Sequence, residues 1–281
     1  MNETQKVIKY IAIALGAALA VTIIGSIIFG ILVAGSALTG VDLLGRDSNM
    51  VLVSETVEIT EYVHNIDIDL GVARLEIRPG EQFKVVLNDV DENTRVEVNN
   101  YTLRIEEQRR RNRINFFGMN NANNQQIIVY IPANVELQNV SINSGVGRVY
   151  IESLIANNVD LELGVGEVRI RELVSRVNTR INGGVGRLAV DSGYMRNLTL
   201  NSGVGETDIT GQLTGNSRLD SGVGSLSLNL AGDIEDYTIR TDTGIGTVRI
   251  NGERHRSGTT GNGPNRIDIN GGIGSIDVTI R

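Results

Sequence analysis

The chain has 281 residues with 26 basic and 33 acidic side chains, a formal net charge of −7, no Cys, no Trp and 33 Gly. Without cysteine there can be neither disulfides nor thiolate metal sites. The acidic balance offers no general attraction for nucleic acid or anionic lipid, and an aromatic content of 4% directs any core toward Val, Ile and Leu.

Residues 1–9 read as a short tail carrying Lys6 and Lys9, and residues 10–39 hold no charged side chain. Thirty helical residues reach ~45 Å against a ~30 Å hydrocarbon core, so this segment is predicted to be a transmembrane α-helix crossing with some tilt. The lysines precede it and Asp42, Arg46 and Asp47 follow, which predicts a single-pass cell-membrane protein with a cytoplasmic N-terminus and an extracytoplasmic remainder. A cleaved signal peptide is the rival reading, with Gly35-Ser36-Ala37 as a cleavage site, but the apolar run is about twice the usual length. Ala14, Ala18, Thr22, Ser26, Gly30 and Ala34 recur every fourth position and form a narrow face suited to helix packing. That face predicts an oligomer or a membrane-protein partner. Residues 41–281 carry 24 basic and 32 acidic side chains, a net −8.

Residues 40–55 are a polar linker, and 56–281 are predicted to form an all-β, parallel β-solenoid. Its first part, 56–132, has strands of irregular spacing that supply a cap, since an uncovered terminal coil would expose unpaired strand edges. Asn99-Asn100 marks a tight hairpin turn between two of them. One stretch breaks the rhythm: Arg109, Arg110, Arg111 and Arg113 run into Phe116 and Phe117. Guanidinium groups beside phenyl rings suit phosphate-bearing polymers or a membrane surface, and make this the candidate interaction site. A solvated hairpin tip would carry the same charges.

Residues 133–281 repeat one phrase: Gly-Val/Ile-Gly, a polar or small residue, then an apolar, any, apolar triplet. Copies begin at Gly145, Gly164, Gly184, Gly203, Gly222, Gly244 and Gly272, at intervals of 19, 20, 19, 19, 22 and 28 residues, with a weaker copy at Gly71. Periods of this size mark stacked coils that cannot bury their apolar faces singly. Apolar residues alternate within each copy, as in Val149 and Ile151, but Ile142, Ser144 and Val146 lie on the opposite parity. The frame therefore slips at the glycines, as a bulge or corner requires. A right-handed winding of about 19–20 residues per coil is expected. A propeller blade needs about twice this period. A calcium-binding roll would need Asp where this chain has Val149, Val168, Leu188, Thr207, Leu226, Val248 and Ile276.

Stacking converts columns into ladders. The residues after each phrase read Arg148, Glu167, Arg187, Glu206, Ser225, Thr247 and Ser275. Alternating charges one above another read as cross-strand ion pairs rather than a recognition stripe. A second column, Asn143, Glu162, Asn182, Asn201, Asp220, Asp242 and Asn270, reads as an amide ladder with neighbouring Asp220 and Asp242, which could share a cation but read first as solvated acids or turn-forming side chains. Residues 253–265, which include His255, read as a flexible inserted loop.

No catalytic constellation emerges. His64 and His255 are far apart in sequence, there is no Gly-x-Ser-x-Gly or His-Glu-x-x-His motif, and Gly-Val-Gly opens a strand rather than a phosphate-binding helix. No cofactor, metal site or catalytic residue is predicted. The run Ile127-Ile128-Val129-Tyr130-Ile131-Pro132 leading through Leu137 to Val140-Ser141-Ile142, the glycine-punctuated coils and the opening strands from Glu55 to Ile77 together resemble a bacterial family. It comprises β-strand-repeat cell-envelope proteins described as candidate adhesins or LiaG-like proteins. The resemblance spans about residues 50–281 and implies an envelope location and a non-enzymatic role, with no site residues to carry over. The function expected is that of a membrane-anchored structural or adhesin-like interaction module, binding an envelope polymer or a membrane protein. Regulation of an envelope-stress system through the transmembrane helix is the alternative, and a glycan-active β-helix enzyme a weaker third.

Overall fold

A computed structural model describes residues 52–107, 125–133 and 135–281. The expected transmembrane helix, its small-residue face from Ala14 to Ala34, and Arg109, Arg110, Arg111, Arg113, Phe116 and Phe117 lie outside the described residues. Among those described, no helix is long and apolar enough to cross a membrane.

The repeats form long strands that stack in parallel: β2 (Asn65–Gly80), β7 (Leu137–Ile151), β8 (Leu154–Ile170), β9 (Leu173–Val190), β11 (Leu198–Thr214), β12 (Asn216–Leu230), β13 (Tyr237–Ile250) and β16 (Asn265–Ile280). Each strand runs unbroken through its Gly-Val/Ile-Gly, or in β2 Gly71-Val72-Ala73, instead of splitting there into two. The phrases align residue for residue, so that Gly147, Gly166, Gly186, Gly205 and Gly224 sit one above another. A further short side of the coil comes from Leu154–Ala156, Leu173–Ser175, β10 (Gly193–Arg196) and the end of β11. Inward residues recur in each turn: Leu154, Ala156, Val159, Leu161, Val168 and Ile170 in one, all buried. Each large aliphatic buried this way contributes about 1.5–3 kcal/mol, which makes the ladders the main source of cohesion.

Glycine at the corner is set by the neighbouring coil. At Gly186 φ is +141°, and a Cβ there would fall on the carbonyl oxygen of Gly166 in the coil beneath. At Gly145 it would lie 2.6 Å from the carbonyl oxygen of Gly71. The corners stack backbone on backbone, and the parity slip expected from the sequence is this turn.

At both ends, stacking order departs from chain order. The outer layer against β2 is made by β5 (Thr102–Glu107) on its first arm and β6 (Gln126–Pro132) on its second, both parallel. β4 (Thr94–Asn99) then pairs antiparallel with β5 through a hairpin whose turn residues, Asn100 and Tyr101, both have positive φ, one residue later than the expected Asn99-Asn100. β3 (Lys84–Asp91) pairs antiparallel with β6, and β1 (Leu52–Glu58) with β3. These strands cover the first layer of the stack, and β1 begins inside the stretch read as linker.

At the far end β16 inserts between β12 and β13. The chain skips one layer after β12, builds β13, and returns to fill the gap, which explains the stretched intervals before Gly244 and Gly272. The segment read as a flexible loop contains β14 (Glu253–His255) and β15 (Gly258–Thr260), both antiparallel to β13. They cover its outer edge, so that expectation is corrected.

Candidate functional site

The middle residue of each phrase turns outward. Val72, Val146, Val165, Val185, Val204, Val223, Ile273 and Ile245 follow one another in register, each between 39% and 52% exposed. Parity had grouped Val146 with buried Ile142 and Ser144, but the corner rotates it to the surface. At coil spacing the eight residues form an aliphatic ridge about 34 Å long. Sequence reasoning missed it, although one signal was available: a solvent-facing turn would favour polar residues, and here the middle position is Val or Ile in every copy.

The charge column flanks the ridge two residues along each strand. Arg148 pairs with Glu167 at 3.9 Å and Arg187 with Glu206 at 3.5 Å, and Arg187 also reaches Asp208 at 3.0 Å. These are the cross-strand pairs expected. They are solvated, so each is worth at most about 1 kcal/mol.

On the other flank runs the predicted amide column. Asn201 Nδ2 donates to Asn182 Oδ1 at 2.7 Å, and Asn270 Nδ2 to Asp220 Oδ1 at 2.6 Å. Because β16 is interposed, Asn270 lies between Asp220 and Asp242, and the two acids are not neighbours. Sharing a cation between them is therefore corrected. Asp220 is engaged by Arg218 at 2.9 Å, and this hydrogen bond, reinforced by Asn270 and opposed by partial burial, holds its carboxyl below the usual range. Among the described residues no cluster of three or more His, Asp or Glu side chains could hold a metal ion.

A second amide ladder went unread in the sequence. Asn178 donates to Asn158 at 3.1 Å, Asn158 to Asn139 at 3.1 Å, and Asn139 to Asn65 at 2.8 Å. It tethers successive coils at the bend before the second side and is structural.

At the β5/β6 end Glu107 and Gln125 both bond to the corner of β2. The Glu107 carboxylate accepts from the backbone N–H of Gly71 at 2.7 Å and of Val72 at 3.3 Å, and Arg74 N–H donates to the Gln125 carbonyl at 3.0 Å. The two histidines stay apart: His64 packs edge-on against Tyr101 at 5.3 Å near the first layers, while His255 lies on β14 beyond the last.

Stacked glycine corners, in-register ladders and antiparallel caps define a repetitive β-solenoid with one exposed aliphatic edge. Residues 63–260 match the Toastrack DUF4097 family model, and the chain belongs to that family. It is also similar to solved structures of a candidate cell-adhesion protein from Clostridium sporogenes (13% identity, 82% of this chain and 100% of that one, TM-score 0.37) and a candidate adhesin from Bacteroides fragilis (16%, 83% and 99%, 0.40). A candidate lipid-binding protein from Parabacteroides distasonis is similar at 15% identity (80% and 96%, 0.36). No curated protein matches.

Proposed function

We propose that this protein is a non-catalytic, adhesin-like interaction module of the bacterial cell envelope, with the aliphatic ridge as its contact surface and residues 10–39 as its membrane anchor. The observation that carries the reading is the ridge: eight exposed Val and Ile side chains in one unbroken line. A contiguous apolar patch on the order of 500 Å² is at the upper end of what monomers leave exposed, and such patches mark interaction sites. The stack supports it from behind with rigid ladders, which suits holding a contact rather than closing on a substrate.

The test compares binding of the full chain to whole cell walls, teichoic-type polymers and anionic vesicles. V165S/V185S/V204S is set beside R109S/R110S/R111S/R113S. Binding lost in the ridge variant and kept in the arginine variant supports the ridge. Binding lost only in the arginine variant transfers the function to the Arg/Phe segment, and binding unchanged in both refutes the assignment. Resistance of the chain to alkaline extraction from membranes checks the anchor.

A further inference from the structure

We propose that the ridge is homophilic: it docks against the ridge of a second copy of this chain, with the two stacks running in opposite directions. This rests on the ridge being the contact surface, and names its partner. Along one flank the column reads Arg74, Arg148, Glu167, Arg187, Glu206, Ser225, in register from layer to layer. Turned end for end about a two-fold axis between the Glu167 and Arg187 layers, the column meets its own complement. Arg148 falls opposite Glu206 of the second copy and Glu167 opposite Arg187, while Arg74 falls opposite neutral Ser225. An alternating column of even length is self-complementary only when reversed.

The amide flank agrees. In the same arrangement Asn143 faces Asn201 of the second copy and Glu162 faces Asn182, so no like charges meet across the four inner layers; in the outermost two Asp69 falls opposite Asp220, whose carboxylate is already engaged by Arg218. Parallel stacks would instead set the charge column of one copy against the amide column of the other, with Glu167 facing Glu162. Like-charge juxtaposition of that kind suppresses wrong pairings.

Area and composition point the same way. The ridge with its two flanks approaches the ~800 Å² per partner of a standard interface, and a two-fold contact uses the same patch twice. Its core is aliphatic and its rim charged, as recognition surfaces between proteins are. The ridge itself carries neither aromatic rings for stacking on sugars nor a surplus of cations for anionic lipid.

The chain enters the stack at one end, where β1 lies outermost on β3 and β6. Reversed stacks therefore place the two Leu52 residues at opposite ends of the pair. Such a geometry joins molecules held on facing surfaces.

The experiment is clustering of beads carrying the full chain through an N-terminal tag. Wild-type beads cluster, and raised salt weakens the effect. R148E/R187E makes the column acidic, and E167R/E206R makes it basic. Beads of either variant alone cluster roughly tenfold less than wild type, while a two-colour mixture recovers clusters containing both colours. V165S/V185S/V204S beads stay dispersed in every combination, and thermal melting verifies that each variant is folded. The proposal is overturned if wild-type beads stay dispersed, if either charge variant clusters alone as wild type does, or if mixing restores nothing. Ridge-dependent uptake of phosphatidylcholine vesicles by dispersed wild-type beads would make a bilayer the occupant, which also overturns it. Loss of clustering alongside ridge-dependent cell-wall binding refutes the homophilic partner and leaves the proposed function standing.

Discussion

Gly186 and Gly183 are three residues apart in the same strand, yet Ala should have opposite effects at the two positions. At Gly186 the backbone has φ +141°, in a region open essentially to glycine, and the added Cβ would collide with the carbonyl oxygen of Gly166 while lying 2.9 Å from its carbon. The strained conformation costs about 1–3 kcal/mol. Relief of the clash requires the coils to separate locally by on the order of 1 Å from their ~4.8 Å spacing, which stretches ladder hydrogen bonds on both sides. Together these give a loss of about 3–5 kcal/mol, at the severe end for a point substitution. For a unit of this size the melting temperature should fall by roughly 10 °C. Gly183 has no comparable neighbour: its nearest heavy atom would be 3.6 Å from the new Cβ, and Ser144, Ser202 and Ser221 occupy the same column. There Ala should be neutral or raise stability by about 0.4–1 kcal/mol, through the entropy of the unfolded chain. Urea and thermal unfolding of G186A and G183A side by side test this. Equal midpoints for the two variants would refute the argument that close coil approach makes the corner glycines necessary.

Asn158→Ala removes one donated and one accepted ladder bond and should lower stability by about 1 kcal/mol, read as a shift in urea midpoint. Glu107→Ala leaves the Gly71 and Val72 amides without their acceptor. Their hydrogen exchange should accelerate while that of the Gly166 corner is unchanged. Asp220 has a folded pKa below its unfolded one, chiefly through Arg218, so its contribution is present above the usual carboxylate range and disappears as pH falls through the depressed value. In pH-dependent melting, the gap between wild type and D220N should therefore close on acidification. Tyr237 is fully buried, its hydroxyl donates to the Ala231 carbonyl at 2.6 Å, and burial, aided by Asp236, raises its phenol above the ordinary 10. That contribution holds below the unfolded pKa and is lost as pH rises past it. Y237F should be less stable at neutral pH and should lose part of the alkaline decline.

The coil was legible because its signals are local and repeated. Alternation in Val168 and Ile170, the parity slip at the glycines and the 19-residue period each follow from one strand's own sequence, and stacking turns them into ladders without further information. Layer order at the ends was not legible. Whether β13 or β16 lies on β12 depends on which pairing completes the stack, and both strands carry the same phrase. For the same reason Asp220 and Asp242 looked adjacent when Asn270 separates them. The ridge was hidden differently: hydropathy cannot distinguish a buried Val from one rotated outward by a glycine bulge. The Asn65-Asn139-Asn158-Asn178 ladder required knowing that these bends superpose.

The caps show why the stack does not simply continue. From β7 onward its corner propagates only where a new coil brings glycines into parallel register, because a Cβ there would meet the backbone of the preceding layer; β2, with no stacked corner before it among the described residues, carries Ala73 at that place. Short separate strands, antiparallel at one end and parallel at the other, can satisfy the arms of an outer strand but do not reproduce that corner. At the far end β14 covers Val248–Ile250 and β15 covers Ile239–Thr241, and neither pairs across Ile245. At the other end β5 and β6 cover the arms of β2, and the Glu107 carboxylate takes the amides of the corner itself. Each end thus offers an incoming strand its arms already paired, which blocks edge-to-edge growth while the ridge stays exposed. The inserted β16 extends the same logic inward. β13 pairs with the parallel stack through β16, with Ile239 on Ile267 and Val248 on Ile276. The last strand in the sequence thus fills an inner layer, between two strands that carry the same glycine register, and the outer face is the one that bears β14 and β15.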